Sequence, residues 1–253
     1  MPAWVMSLAP SNVTDDTLLN GRVLLRQPAA GYRAGIDAVF LAAAVPAQAG
    51  DRVLDLGLGT GAAALCLLAR VPEARMAGLE REAAYAALAR YNATANRRDL
   101  QVVEGDVGAP PDLGLFDHVL TNPPFIEDGQ GTRARDPARA AAHSGDVPLA
   151  HWLAVAGRLL RPGGTLTVVF PARREGELLA GLPAGDVRLY PLLPRAGRAP
   201  KRLIVQVRTG RPAALTRLPG LILHGDAPGF TAAAESILRE GQALPLDGEG
   251  AAA

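Results

Sequence analysis

Asn122-Pro123-Pro124-Phe125 sets an amide side chain, two rigid rings and an aromatic face on four consecutive residues. The tetrapeptide follows Leu115 to Thr121, a short apolar run that reads as a strand. Two prolines forbid continuing that strand or entering a helix, so the chain is braced where the strand ends. Such a corner fixes an amide oxygen and a backbone carbonyl in space, which is what orienting a reacting group requires. The chemistry that uses two acceptors side by side is transfer to the exocyclic amine of a nucleobase. That nitrogen is a poor nucleophile, because its lone pair is delocalised into the ring. The Asn122 amide oxygen and the Pro123 carbonyl would each accept one of its N–H bonds, drawing the nitrogen toward tetrahedral geometry. Phe125 would supply a face on which a flipped base can stack. Asn-Pro also opens ordinary turns, so the corner takes its meaning from what precedes it.

What precedes it is a glycine loop. Val53-Leu54-Asp55-Leu56-Gly57-Leu58-Gly59-Thr60-Gly61 runs from an expected strand into an expected helix. Glycines there allow a sharp turn and a close approach to a ligand, and the helix start offers unpaired N–H groups. Gly57, Gly59 and Ala62 satisfy the dinucleotide pattern, and Glu80 lies at about the distance of a ribose-binding acid. Two features favour S-adenosylmethionine instead. Asp55 stands two residues before the first glycine, where a carboxylate would repel a diphosphate but suit a cationic ligand. Gly61 also comes one residue early for a dinucleotide loop. Glu80 would accept from both ribose hydroxyls, and Asp106 from the adenine amino group. A plain helix-start carboxylate is the bland reading of Glu80.

Other chemistries lack their residues. There is no G-x-S-x-G elbow, and His118, His143, His151 and His224 do not have metal-ligand spacing, so no metal is expected. Cys66, the only cysteine, lies in Leu65-Cys66-Leu67-Leu68 and reads as a small buried hydrophobe.

The elements that must position these groups alternate. Strands are expected over Arg52 to Leu58, Arg75 to Glu80, Leu100 to Glu104, Leu115 to Thr121 and Thr165 to Phe170, with two more near Val187 to Leu192 and Arg202 to Val207. Helices are expected over Thr60 to Val71 and Arg81 to Asn96. A third carries Leu149, Trp152, Leu153, Ala156 and Leu160 on one face. This is the pattern of an α/β, doubly wound, mostly parallel seven-stranded sheet of Rossmann-like form. Asp55, Glu80, Asp106 and Asn122 then fall at the carboxyl ends of successive strands, the edge along which open α/β sheets bind ligands. A single domain is expected over 1–253, with an extension over 1–50 against the cofactor pocket, a core over 51–240 and a frayed tail over 241–253. Ile126 to Asp146 has no period and reads as a functional loop or local disorder.

The 253 residues carry a formal net charge of only +1, so overall charge does not mark a nucleic-acid binder. The distribution says more. Val187 to Arg217 holds eight basic residues and no acidic ones. Among them Arg195, Arg198, Lys201 and Arg202, with Arg133, Arg135 and Arg139 in the long loop, are candidates for gripping an RNA backbone. The alternative is a compositional habit of a chain rich in Ala, Arg, Gly and Pro. The longest apolar stretch, Ala38 to Ala47, is too short to span a bilayer, and the first basic residue is Arg22, unlike a signal peptide. A cytoplasmic monomer with no membrane partner is expected.

With these residues in place, the chain resembles the bacterial tRNA adenine-N6 methyltransferases that act on valine tRNA. The likeness runs over nearly the whole chain, including Gly31 to Leu41, the glycine loop, Asn122 to Phe125, and Leu221-Ile222-Leu223-His224-Gly225 before Thr231 to Glu240. The resemblance implies a seven-stranded class I methyltransferase sheet with an antiparallel edge strand, and S-adenosylmethionine as cofactor. It implies adenine N6 in tRNA as the acceptor, and a part for Asp37 in closing the cofactor pocket, though Asp37 also suits a helix cap. Phe stands at 125 where adenine-N6 enzymes often have Tyr, and Phe is common in guanine-N2 enzymes of ribosomal RNA. Glutamine methyltransferases of release factors carry a similar corner. An oxidoreductase or a non-catalytic cofactor-binding module are the readings outside this class.

Overall fold

The computed structural model describes residues 13–30, 33–124 and 147–246. Phe125, Arg133, Arg135, Arg139, His143 and the stretch from Ile126 to Asp146 lie outside the described residues. An antiparallel hairpin, β1 (Val13–Leu18) and β2 (Val23–Pro28), precedes α1 (Ile36–Ala44). The alternating part follows as β3 (Arg52–Leu56), α2 (Ala62–Arg70), β4 (Arg75–Glu80), α3 (Ala83–Ala95), β5 (Leu100–Glu104) and β6 (Phe116–Thr121). Beyond the undescribed stretch come α4 (Leu149–Arg158), β7 (Leu160–Pro171), a 3-10 turn (Ala172–Arg174) and α5 (Glu175–Gly181). The chain closes with β8 (Asp186–Leu193), β9 (Arg202–Arg208), β10 (Ala214–Arg217), β11 (Leu221–Ile222) and α6 (Ala232–Leu238).

The central sheet runs β10-β8-β9-β7-β6-β3-β4-β5, with β11 also pairing β8. The strands β3 to β7 are mutually parallel, and β9 is antiparallel to both β7 and β8. The seven expected strands are all present. The sheet is larger than expected, because the short strands β10 and β11 extend it past β8, and the antiparallel strand β9 sits two places inside that end. Helices α1 and α2 bury apolar faces in one core cluster, with Phe40, Leu41, Leu65 and Leu67 fully buried. Helices α4 and α5 bury Trp152, Leu153 and Leu178 in the other, on the opposite face of the sheet. Both faces are therefore covered, which is why the inner strands read as continuous apolar runs.

The tail differs from expectation. Leu244 and Leu246 are buried, the Leu244 N–H donates to the Ala43 carbonyl, and Arg188 donates to the Leu246 carbonyl. Two apolar side chains that find a core outweigh the composition of the segment, so it packs at least to Leu246.

The N-terminal hairpin is docked by two asparagines four residues apart, Asn92 in the last turn of α3 and Asn96 at its C-cap. Asn96 accepts from the Leu24 N–H and donates to the Leu24 carbonyl, and Asn92 does the same with Arg26. Each amide replaces a missing strand partner along β2. Asn92, 1 % exposed, also donates to the Thr60 carbonyl at 2.9 Å, which ties the hairpin to the glycine loop. Asn92→Ala strands these backbone groups in the interior and is expected to cost about 2–3 kcal/mol. Urea unfolding measures it, and a loss under about 0.5 kcal/mol would mean that water replaces the amide.

Candidate active site

Register builds the site. β3 pairs β6 with Asp55 opposite Leu120, and β4 with Leu56 opposite Leu79; β4 pairs β5 with Glu80 opposite Glu104. Two residues beyond the first rung and one beyond the second, the same register sets Gly57 level with Asn122 on one side and Glu80 on the other. Neighbouring strands lie about 5 Å apart, so the glycine loop, the Asn-Pro-Pro corner and the Glu80 carboxylate emerge side by side. Asp106 follows two residues past the end of β5. The structure thus brings Asp55, Gly57, Gly59, Gly61, Glu80, Asp106, Asn122 and Pro123 to one edge of the sheet.

Every residue of the glycine loop has its own restraint. The N–H groups of Gly57 and Leu58 both donate to the Leu79 carbonyl. The Leu58 side chain lies where a Cβ on Gly78 would be. The Gly59 N–H donates to Glu80 Oε2 at 2.7 Å, and the Glu82 N–H to Glu80 Oε1 at 2.8 Å. Gly57, Gly59 and Gly61 have φ of 83°, 58° and 85°, the left-handed region that other residues enter at a cost. A Cβ on Gly57 would stand 2.8 Å from Cζ2 of Trp152, whereas a Cβ on Gly59 would meet nothing within 4 Å. The loop is packed tight on its Trp152 side and open above Gly59.

Asp55 lies beneath the loop. It is only 3 % exposed and accepts from the N–H of Ala64 in the first turn of α2. Burial pushes its carboxyl well above the usual range; the Ala64 N–H opposes this, and the nearby Glu80 charge adds to it. Its bond to the Ala64 N–H ties the underside of the loop to the first turn of α2. Glu80, 9 % exposed and held by two N–H groups, is the carboxylate that faces the open side. Each of its oxygens keeps acceptor capacity for a hydroxyl. Asp106 Oδ1 accepts from the Gly108 N–H at 2.6 Å, and Arg81 stands 3.7 Å from Oδ2.

Asn122 is half-buried with its Oδ1 fully enclosed, and Pro123 is buried. Just before them Thr121, 0 % exposed, donates its hydroxyl to the Leu56 carbonyl at 2.6 Å and accepts the Trp152 indole N–H at 2.9 Å. Sequence reasoning missed this pair. Trp152 was legible only as one apolar residue on a helix face. The available signal was a hydroxyl residue immediately before the corner, together with an indole that needs an acceptor when buried.

Asp37 and Arg202 do not act separately as expected. Asp37 lies in the first turn of α1, and Arg202 Nε donates to its Oδ2 at 2.8 Å. One edge of the Arg202 guanidinium is therefore engaged by a carboxylate at the rim. The basic stretch divides. Arg195, Arg198 and Lys201 are exposed on the turn between β8 and β9, at the same sheet edge as Asn122; Arg195 there donates to the Gly225 carbonyl. Arg208 and Arg211 lie at the opposite edge, Arg188 bonds Asp186, and Arg217 bonds Glu175. Cys66 is buried and its thiol is pushed up to about 12, as fits a core residue. His118 bonds Thr165 and Asp51 among the lower strand ends. Among the described residues no group of three or more His, Cys, Asp or Glu is placed to hold a metal, and no helix is long and apolar enough to cross a membrane.

Residues 33–179 match the family model of the methyltransferase small domain, and the chain belongs to that family. It is 33 % identical over 188 residues to the tRNA1(Val) (adenine(37)-N6)-methyltransferase of Aeromonas hydrophila, covering 70 % of this chain and 77 % of that one. The protein of the same name from Porphyromonas gingivalis is 32 % identical over 221 residues, covering 78 % and 84 %. Among solved structures, a predicted O-methyltransferase of Agrobacterium tumefaciens superposes with a TM-score of 0.69 and 26 % identity over 83 % of this chain and 99 % of that one. The Thermus thermophilus 16S rRNA N2 G1207 methyltransferase, solved with AdoMet and guanosine, shares the fold. Its TM-score is 0.54 at 21 % identity, over 78 % of this chain and 50 % of that one. The protein is a class I methyltransferase, and the oxidoreductase reading of its glycine loop falls away.

The asymmetry of the loop is testable. Gly59→Ala adds only the left-handed penalty, about 1 kcal/mol. Gly57→Ala adds that and a forced displacement of a hydrogen-bonded indole, about 3 kcal/mol in all. Urea unfolding compares them, and equal losses would mean that the indole does not confine the loop.

Proposed function

We propose that this chain transfers a methyl group from S-adenosylmethionine to adenine N6 in tRNA. The observation that carries this reading is the placement of Asn122 beside Gly57 at adjacent strand ends. The fit of the cofactor rests on the open space above Gly59, the Glu80 carboxylate with acceptor capacity to spare, and Asp106 one strand further along. The names of the relatives support the acceptor.

When bound, the cofactor supplies an electrophilic methyl group on a cationic sulfur. The glycine loop would pass under its methionine part, braced from beneath by Asp55. Glu80 would accept from the ribose hydroxyls and Asp106 from the adenine amino group. Asn122 Oδ1 and the Pro123 carbonyl would accept the two N–H bonds of the acceptor amine and aim its lone pair across the cleft toward Gly57. No strong base is required of the protein, since the amine proton becomes acidic only after transfer. Phe125, next in the chain, is the candidate for stacking the base. Asp37, paired with Arg202, would hold the start of α1 against the rim.

Arg195, Arg198 and Lys201 stand two strands from β6, about 10 Å along the edge, where they would meet the backbone of a bound RNA. Arg133, Arg135 and Arg139 are candidates for the same work. The protein would act as a monomer in the cytoplasm.

Incubation with labelled S-adenosylmethionine and fractionated RNA, then digestion to nucleosides, is expected to give N6-methyladenosine in the tRNA fraction. Label in N2-methylguanosine, or in protein glutamine, would replace the acceptor; no label with intact cofactor binding would leave a binding module. Asn122→Ala is expected to lower the rate by about 10²–10³, as when one positioned polar group is removed. Neutralising Arg198 and Lys201 together is expected to reduce the salt slope of RNA binding by about 2 without moving cofactor affinity. An unchanged slope would return these residues to the solvated surface.

A further inference from the structure

The apolar sheet positions Asn122 only as well as the last rung between β3 and β6 is held, and that rung is not made by backbone alone. Thr121 Oγ1 donates to the Leu56 carbonyl at 2.6 Å, directly below Gly57, and receives the indole N–H of Trp152 at 2.9 Å. The same indole ring fills the space where a Cβ of Gly57 would stand. One side chain from the first turn of α4 thus touches both halves of the cleft, the loop through its ring and the corner through its N–H. Trp152 is 8 % exposed and Thr121 is 0 % exposed, so water does not compete for either bond.

We propose that Thr121 and Trp152 are positioning residues, a two-bond relay that sets the distance between the glycine loop and the Asn122 amide. Neither touches the substrate. The Thr121 hydroxyl has one proton, and the Leu56 carbonyl takes it. With the indole N–H on its lone pair, the rotamer of Thr121 is fixed from both ends. The next residue in the chain is Asn122, so a rotation at Thr121 moves the amide against the loop. Displacements of about 1 Å at a reacting centre cost on the order of 10²-fold in rate, which is the scale on which such a relay acts.

The inference rests on the reading that Asn122 orients the acceptor, and the test keeps the two apart. Thr121→Val, Thr121→Ser, Trp152→Phe, the Thr121→Val/Trp152→Phe double variant and Asn122→Ala are compared in the full chain well below their unfolding midpoints. The readouts are the single-turnover methylation rate, S-adenosylhomocysteine affinity by calorimetry, and the thermal midpoint. Thr121→Val is expected to lower the rate by about 10- to 100-fold while affinity stays within about threefold. Thr121→Ser keeps the hydroxyl and is expected to restore most of the rate. Trp152→Phe acts in the same direction with a smaller factor, and the double variant is no slower than Thr121→Val, because both remove one connected unit. If Thr121→Val does not fold, Trp152→Phe and Thr121→Ser carry the comparison. A Trp4→Phe background leaves Trp152 as the sole indole, and S-adenosylhomocysteine is expected to shift its emission through the Gly57 contact. The relay is overturned if midpoints fall while rates stay at the parent value, or if the two single effects multiply in the double variant. If Asn122→Ala retains the parent rate, the underlying reading of the corner fails instead.

Discussion

Parallel pairing of β3 with β6 is the constraint on which the site depends. Backbone pairing of Val53, Leu54 and Asp55 with His118, Val119 and Leu120 fixes the register, and with it which residues leave the two strands level with each other. Glycines end one strand at Gly57 and prolines end the other after Asn122, so a tight turn and a stiff corner diverge from adjacent points. That divergence is where an open α/β sheet receives its ligand. Extending the same rung to β4 delivers Glu80, and to β5 the segment leading to Asp106. Four strand ends thus form a line along which a long ligand can lie.

The electrostatics of that line differ from its charge count. Of the two carboxyls nearest the loop, Asp55 is the more deeply buried and accepts from the Ala64 N–H of α2, while Glu80 accepts the Gly59 N–H from the loop and the Glu82 N–H beyond β4. One acid is used as a helix cap and the other as a loop clamp, and the difference follows from depth. On the rim, Arg202 is drawn onto Asp37, which stands 165 residues earlier in the chain. Of the described basic residues between Val187 and Arg217, those exposed at this edge are on the turn joining β8 and β9. A segment with no acids in sequence is answered in space by Asp37, Glu175 and Asp186.

Much of this was legible in the residues. Strand ends are marked by apolar runs meeting glycine, proline or a carboxylate, and the positions of Asp55, Glu80, Asp106 and Asn122 follow from counting along them. The hairpin of β1 and β2 was not legible, because Thr14, Asp15, Asp16 and Thr17 alternate little and its true partners are two side chains of α3 some seventy residues away. The packing of Leu244 and Leu246 was not legible for a related cause: they stand in a short Gly-, Ala- and Pro-containing stretch with no helical or strand period, and their place beside Ala43 is set by a segment two hundred residues earlier. The bonds through Thr121 and Trp152 were hidden because a threonine in a strand and a tryptophan on a helix are each sufficiently explained by packing. Polar pairing between elements distant in sequence leaves no periodicity to read.

The central claim is geometric, and a crystal structure of the protein with S-adenosylhomocysteine and an adenine nucleoside tests it most directly. The account predicts the exocyclic nitrogen within hydrogen-bond distance of both Asn122 Oδ1 and the Pro123 carbonyl, with the cofactor sulfur on the far side of that nitrogen, above the glycine loop. A base seated elsewhere, or an Asn122 amide turned away from the sulfur, would contradict it.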